Sequence, residues 1–75
     1  MDDNYLERIY KERLEENIIA LLAEKRGTSL EDAMDLYYSS NLSHKIAEGR
    51  YGIQYLDYRV LVQILYDTEP ELLNA

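Results

Sequence analysis

Apolar side chains recur at steps of three and four along the first third of the chain, which is the period of one face of an α-helix. This pattern predicts a helix over residues 4–26, with Asp2, Asp3 and Asn4 available to cap its N-terminus. Two cations followed by Gly27 form the expected end of the helix. The apolar stripe consists of Leu6, Ile9, Tyr10, Leu14, Ile18, Leu21 and Leu22.

A polar stretch after Gly27 predicts the start of a second helix. Thr28 with Glu31, or Ser29 with Asp32, fits a capping box, and the residues alone leave both alternatives open. The apolar positions expected to face inward are Leu30, Ala33, Met34 and Tyr37, widened by Leu36 and Tyr38.

Two serines and an asparagine at positions 39–41 interrupt the second helix. A short third helix is predicted over residues 42–48, with Leu42 and Ile46 as its apolar positions and Gly49 as its stop. Residues 50–56 are predicted to form a loop that bends at Gly52.

Asp57 is the expected N-cap of a fourth helix that continues to about residue 67. A break at Pro70 separates this helix from a last turn around Leu72. The predicted inward stripe of the fourth helix is Val60, Leu61, Ile64 and Leu65.

Together these segments predict an all-α fold, a small orthogonal or irregular bundle of about four helices with a long first helix, formed by a single domain over residues 1–75. A helix of about 23 residues spans roughly 35 Å, whereas a compact domain of this length has a diameter of about 30 Å. The other helices are too short to cover all of it. We therefore expect some of the residues Leu6, Ile9, Tyr10 and Leu14 to contact either another chain or the C-terminal segment at Leu72 and Leu73.

The net charge of −7, from 15 acids against 8 bases, limits the classes of partner. Nucleic-acid binding relies on lysine and arginine that displace counterions, and an acidic surface repels anionic lipid as well. The charge therefore argues against nucleic acid and membrane, whereas a basic protein surface would be electrostatically complementary. A single core gives a domain of this size little stability, and association with a second subunit can supply more, so a homodimer is also expected.

Cysteine is absent, so disulfides and thiolate metal sites are excluded. The chain opens with acidic and polar residues where a secretory signal would be basic and then apolar, and no apolar run has the roughly 18 residues of a membrane span. We therefore expect a cytoplasmic protein.

Candidate chemistry is sparse. His44 and Glu48 stand four residues apart, a spacing that can hold a metal, but the chain has no second histidine. Acids at positions 31, 32 and 35 suit the dipole of a helix N-terminus. The sequence predicts no catalytic residue, metal site or cofactor, and the protein is not expected to be an enzyme.

Eight tyrosines, with no other aromatic residue, are the most unusual feature of the composition. Tyrosine can pack its ring in the core of a thin domain while its hydroxyl reaches water, and it is also enriched among interface hot spots. Tyr51 and Tyr55, which lie in the predicted loop, are better candidates for an interface than Tyr37 and Tyr58, which lie in predicted helices. The candidate partner-binding residues are Leu6, Ile9, Tyr10, Leu14, Tyr51 and Tyr55.

Residues 22–50 superficially resemble the helix-turn-helix of phage-repressor-type regulators, with residues 42–48 as the recognition helix. The predicted turn carries tyrosines and serines where those regulators place a small residue and glycine. Only Ser43, His44 and Lys45 would be offered to a DNA groove. These departures count against DNA binding, so a helix-turn-helix DNA-binding regulator is the alternative hypothesis and not the first one.

A second resemblance covers about residues 18–68. The run Thr28-Ser29-Leu30-Glu31-Asp32-Ala33-Met34-Asp35-Leu36-Tyr37-Tyr38-Ser39-Ser40, followed by Ile46-Ala47-Glu48-Gly49 and a closing helix rich in valine and leucine, is similar to a bacterial family. That family comprises short helical proteins of unknown function, some encoded beside predicted toxin genes. The resemblance implies an antitoxin-like or companion-subunit role and supplies no catalytic residues. The expected function is thus a protein-interaction module.

Overall fold

A computed structural model describes residues 3–74, except for the side chains of residues 3, 4 and 50. Within this range the chain forms five α-helices and no strand, which confirms the predicted all-α bundle with a long first helix. The elements are α1 (Asp3–Arg26), α2 (Leu30–Tyr38), α3 (Asn41–Glu48), a 3₁₀ segment (Arg50–Tyr55), α4 (Tyr58–Thr68) and α5 (Pro70–Leu73). The caps proposed at residues 2–4 lie outside the described side chains.

Side-chain caps begin three of the helices. Ser29 Oγ accepts a hydrogen bond from the Asp32 amide at 3.0 Å, so the second of the two capping alternatives starts α2. Asp57 Oδ1 accepts from the Arg59 amide at 2.8 Å at the start of α4, as predicted. Each bond satisfies an amide that the helix itself leaves without a partner.

The cap of α3 is buried and joins two helices. Ser40 Oγ accepts from the Ser43 amide at 3.2 Å and donates to the Tyr37 carbonyl at the end of α2. Gly49 ends α3 at φ 70°, a left-handed conformation that glycine adopts without a Cβ clash. The α2–α3 turn is therefore held by one hydroxyl on the inside of the bundle.

The hydrophobic core forms where α1 packs between α2 and α4. Ile18 and Leu22 of α1 and Leu61 of α4 are fully buried, and burial of a side chain of this size contributes about 1.5–3 kcal/mol. The complete apolar core is Leu14, Ile18, Ile19, Leu22, Ala23, Ala33, Tyr37, Leu42, Ile46, Leu61, Val62, Leu65 and Leu73.

The C-terminal helix α5 covers the C-terminal end of α1. The Arg26 guanidinium donates a hydrogen bond of 2.6 Å to the Leu73 carbonyl, and the Leu73 side chain is buried. The C-terminal segment therefore contacts the opposite end of α1 and does not cover the N-terminal part of the predicted stripe. The described residues extend over 42 × 23 × 19 Å, and the 24 residues of α1 account for about 36 Å of the long dimension.

Two predicted helix faces are corrected by the structure. Leu30 and Met34 were expected to face inward, but both are exposed, because α2 packs through Ala33 and the large ring of Tyr37 instead. In α4, Val60 is exposed. The buried positions of α4 are Leu61, Val62 and Leu65, so its inward face is turned by about one residue from the predicted stripe.

The segment predicted as a loop over residues 50–56 is largely 3₁₀-helical. It bends at Gly52, as expected, where φ is 66°. No helix within residues 3–74 combines the length and the apolar character needed to cross a membrane.

We expect Ser40→Ala to lower the free energy of unfolding by about 1–2 kcal/mol, because it removes an N-cap and leaves a buried carbonyl without its hydroxyl donor. The measurement is urea unfolding followed by circular dichroism. Ser39→Ala is the matched control, since the Ser39 hydroxyl is exposed and bonds only to the carbonyl of Asp35. Equal losses for the two variants would contradict the role assigned to the buried cap.

Candidate functional site

The N-terminal half of α1 meets the 3₁₀ segment and leaves an apolar surface uncovered. The rings of Tyr10 and Tyr55 lie 5.6 Å apart between centroids, and the Tyr55 side chain is 61% exposed. Leu6, one turn before Tyr10 on the same side of α1, is 60% exposed, and Leu56 follows Tyr55 at the surface. We call the surface formed by Leu6, Tyr10, Tyr55 and Leu56 the tyrosine face.

Polar contacts attach the 3₁₀ segment to α1 in addition to the Tyr10–Tyr55 ring contact and the packing of Ile53 against the core. The Tyr55 hydroxyl donates to both carboxylate oxygens of Glu7, at 3.1 and 3.2 Å, and this hydrogen bond is the main cause that raises the pKa of Tyr55. Gln54 Nε2 donates to Glu7 as well, at 3.4 Å. Before the segment begins, the Lys11 ammonium donates to the Ala47 carbonyl of α3 at 3.2 Å. One carboxylate of α1 thus orients the aromatic ring of the tyrosine face.

Tyr51 combines an exposed ring with an unfavourable backbone. Its φ is 61°, in the left-handed region, which costs a non-glycine residue about 1–2 kcal/mol. The side chain is 95% exposed and makes no hydrogen bond or ring contact with the rest of the described chain. Glycine would adopt this conformation without strain, so the tyrosine ring has no folding role that the structure shows.

A groove of about 500 Å³ runs beside the tyrosine face, between α1 and the start of α4. Its lining residues are Tyr10, Arg13, Leu14, Asn17, Tyr55, Leu56, Asp57 and Tyr58. The Asp57 carboxylate accepts hydrogen bonds from the Arg59 side chain at 2.9 and 3.0 Å, which lowers its pKa to about 2. Asp57, the only acid among the described residues that line this groove, is therefore ionised at neutral pH, and both of its carboxylate oxygens are already hydrogen-bonded to Arg59.

The six candidate residues predicted from the sequence do not all share one surface. Tyr10 and Tyr55 are brought together, and Leu6 is exposed beside them. Leu14 is 7% exposed and belongs to the core, so only its edge reaches the groove. Ile9 is half-buried and does not line the groove beside the tyrosine face.

A second exposed apolar row, which the sequence interpretation placed inward, lies on α2. Leu30, Met34 and Tyr38 are exposed and stand four residues apart, on successive turns of one side of the helix. The four-residue spacing was visible in the sequence. The competing row of Ala33 and Tyr37 has the same spacing, so the pattern did not show which row faces the core.

The core tyrosine between α1 and α2 carries a hydrogen-bonded hydroxyl. Tyr37 OH donates to Glu15 Oε2 at 2.7 Å, and the Tyr37 ring meets the Tyr38 ring edge to face at 5.0 Å. Burial, followed by the hydrogen bond to the Glu15 carboxylate, raises the pKa of Tyr37 strongly. Of the two buried side chains of α2, Ala33 and Tyr37, only Tyr37 has a polar group, and its hydroxyl links α2 to Glu15 of α1.

The residues weighed for metal or acid–base chemistry are dispersed. His44 is exposed on α3, and the acids at positions 31, 32 and 35 are exposed on α2. Along residues 3–74 no group of three or more histidine, cysteine, aspartate or glutamate side chains is placed to hold a metal ion.

The α2–α3 pair has the connectivity of a helix-turn-helix, but its second helix offers little to a DNA groove. Ser43 is buried and donates to the Ser40 carbonyl at 2.8 Å, which leaves His44 and Lys45 of the three polar residues considered. At the N-terminus of α3, the Glu69 carboxylate accepts from the amides of residues 41 and 42 at 2.9 and 3.1 Å. An acid therefore occupies the position where a phosphate would bind a helix N-terminus.

Comparisons with protein-family models, with curated proteins and with solved structures found no match to this chain. The two resemblances described from the sequence thus stay predictions, and the functional argument depends on the surfaces of the molecule itself.

We expect the stability of the protein to fall at alkaline pH. The folded-state pKa of Tyr37 is raised above its value of 10.0 in the unfolded chain, so its contribution is fully present below pH 10 and is lost as the pH rises further. Urea midpoints measured from pH 8 to pH 11 should decline less for Tyr37→Phe than for the wild type. Tyr66→Phe is the control, and equal slopes for Tyr37→Phe and the wild type would contradict this assignment.

Proposed function

We propose that this chain is a protein-interaction module and that the tyrosine face is a binding surface. The observation that carries the proposal is the uncovered N-terminal half of α1, where Leu6 is 60% exposed although it belongs to the stripe that forms the core further along the same helix. Tyrosine is one of the residue types enriched among those that dominate the binding energy of protein interfaces. Tyr51, strained and 95% exposed in the same 3₁₀ segment as Tyr55, supports the same function.

The occupant proposed for the tyrosine face is a second copy of the chain. Among the described residues, the charged side chains that line the groove at the tyrosine face are one base, Arg13, and one acid, Asp57, a balanced pair in a protein of net charge −7. Two copies can therefore approach here without the repulsion expected elsewhere on the surface. In an isologous dimer with antiparallel α1 helices, Glu7 of each copy would approach Arg13 of the other.

A companion role beside a second, more basic protein is the wider function proposed. The resemblance to the family with members encoded beside predicted toxin genes suggests such a partner, and an acidic helical protein can cover a basic active site. Absence of cysteine is compatible with the reducing cytoplasm in which the two proteins would meet.

The dimer is tested by sedimentation velocity over a concentration series, in which the wild type is expected to pass from monomer to dimer. Leu6→Gln should weaken the dimer by about tenfold or more, because it removes apolar area at the proposed contact. Val60→Gln is the matched control, since Val60 is an exposed aliphatic side chain on α4. A wild type that stays monomeric at every concentration would end the dimer proposal.

Tyr51→Gly adds a variant whose effect does not come from unfolding. Glycine relieves the left-handed strain at this position, so the free energy of unfolding is expected to be unchanged or slightly higher. A weaker dimer in a variant of equal or greater stability would place the Tyr51 ring in the contact. An unchanged dimer would remove Tyr51 from it.

The companion role predicts a stoichiometric complex with the product of the adjacent gene when the two proteins are co-expressed and one is purified by affinity. Such a complex should weaken as salt is raised, because the proposed attraction is between an acidic and a basic surface. Failure to recover the second protein, with both shown to be expressed and folded, counts against this role and leaves the dimer measurement unaffected.

A further inference from the structure

A second surface lies between α1 and α2, at a distance from the tyrosine face around the circumference of α1. Leu30, Met34 and Tyr38 form its α2 side, and their positions eight residues apart from first to last span about 12 Å. Three exposed apolar side chains on successive turns of one helix are more than scattered surface residues, since they form a continuous row.

The α1 side of this surface supplies a floor. Two hollows of about 270 and 280 Å³ share Glu16, Ile19 and Met34, so they form one continuous groove along the two helices. One end of the groove is apolar, where Leu30 and Ala20 complete the lining. We call this surface the α1–α2 groove.

The other end of the α1–α2 groove is acidic. Glu12, Glu15 and Glu16 line it together with Tyr38, and no described lysine or arginine lines these two hollows. Arg8 and Lys11 line the next hollow along α1, which shares Glu12, Glu15 and Tyr38. Neither Glu12 nor Glu16 has an ion-pair partner within residues 3–74. On α2, Glu31 and Asp35 directly follow Leu30 and Met34 and extend the negative charge along the outer edge.

We propose that the α1–α2 groove binds an amphipathic helix with basic flanks, supplied by a different protein. An apolar groove about two helical turns long accepts residues of a partner helix at positions i, i+4 and i+7 or i+8, which is a common way in which proteins recognise helical segments. The unpaired glutamates select lysine and arginine beside that apolar row.

Charge distinguishes this occupant from the alternatives. A second copy of the chain would bring its own net charge of −7 to a surface rimmed by carboxylates, and like charges disfavour that contact. This inference rests on the proposed protein-binding function but uses residues separate from the tyrosine face. The two surfaces can therefore fail or succeed independently.

The test uses a fluorescently labelled synthetic peptide of about 18 residues, long enough to form a helix in the bound state, with leucines on one face and lysines along both flanks. Fluorescence anisotropy with the full-length protein should show binding at least about tenfold tighter than that of a scrambled peptide with the same composition. The scrambled peptide keeps the charge but not the apolar row, so it measures non-specific attraction.

Two variants assign the site. Met34→Gln should weaken binding of the patterned peptide about tenfold, whereas Val60→Gln should not, because the two side chains are exposed to a similar degree, 44% and 47%, on different helices. Glu12→Gln combined with Glu16→Gln should reduce the dependence of binding on salt. All four substituted side chains are exposed, so loss of the fold does not explain a loss of binding.

Equal binding of the patterned and scrambled peptides would overturn the proposal, as would unchanged binding by Met34→Gln. If Met34→Gln weakens self-association in sedimentation, the groove is occupied by a second copy and the inference is equally wrong. Failure of the tyrosine-face dimer with intact peptide binding would reject only the dimer.

Discussion

The structure depends on the burial of α1 between α2 and α4. Ile18 and Leu22 are fully buried there, and Ile19 on one side and Leu14 on the other complete the contact. A helix that is covered on two sides over only part of its length must expose apolar surface over the rest. The remaining helices have 11 residues or fewer, so they cannot cover the 24 residues of α1.

The two ends of α1 are held by different kinds of interaction. At the C-terminal end, apolar packing is supplemented by the hydrogen bond from Arg26 to the Leu73 carbonyl. At the N-terminal end, the contacts are mostly polar and exposed, such as those of Glu7 with Tyr55 and of Lys11 with the Ala47 carbonyl. Exposed polar contacts contribute little free energy, so the tyrosine face is the part of the molecule in which a partner has most to add.

Charge separates the two candidate surfaces. One base, Arg13, and one acid, Asp57, line the groove at the tyrosine face, whereas the α1–α2 groove is lined by carboxylates at one end and by aliphatic groups at the other. The same helix thus presents a surface suited to its own copy and another suited to a basic partner. A chain of 75 residues has room for two such surfaces because most of its helices expose one side.

The sequence was sufficient for the elements that depend on local interactions. The three–four period defines α1, Asp57 starts α4 through a bond to an amide two residues away, and Gly49 ends α3, because these preferences act within a few residues. For α2 the sequence narrowed the N-cap to two candidates, and the structure selects Ser29. The excess length of α1 followed from residue count alone. Of the four residues predicted to lie on its uncovered part, Leu6 and Tyr10 are exposed, whereas Ile9 is half-buried and Leu14 belongs to the core.

Rotation of each helix about its own axis was decided only by tertiary packing. In α2, the Ala33–Tyr37 row and the Leu30–Met34 row have the same spacing, and the choice between them depends on Tyr37 reaching Glu15 on another helix. The pairing of Tyr10 with Tyr55 likewise joins residues far apart in the chain. Such choices depend on the shape and charge of the opposing surface, which periodicity within one helix does not contain.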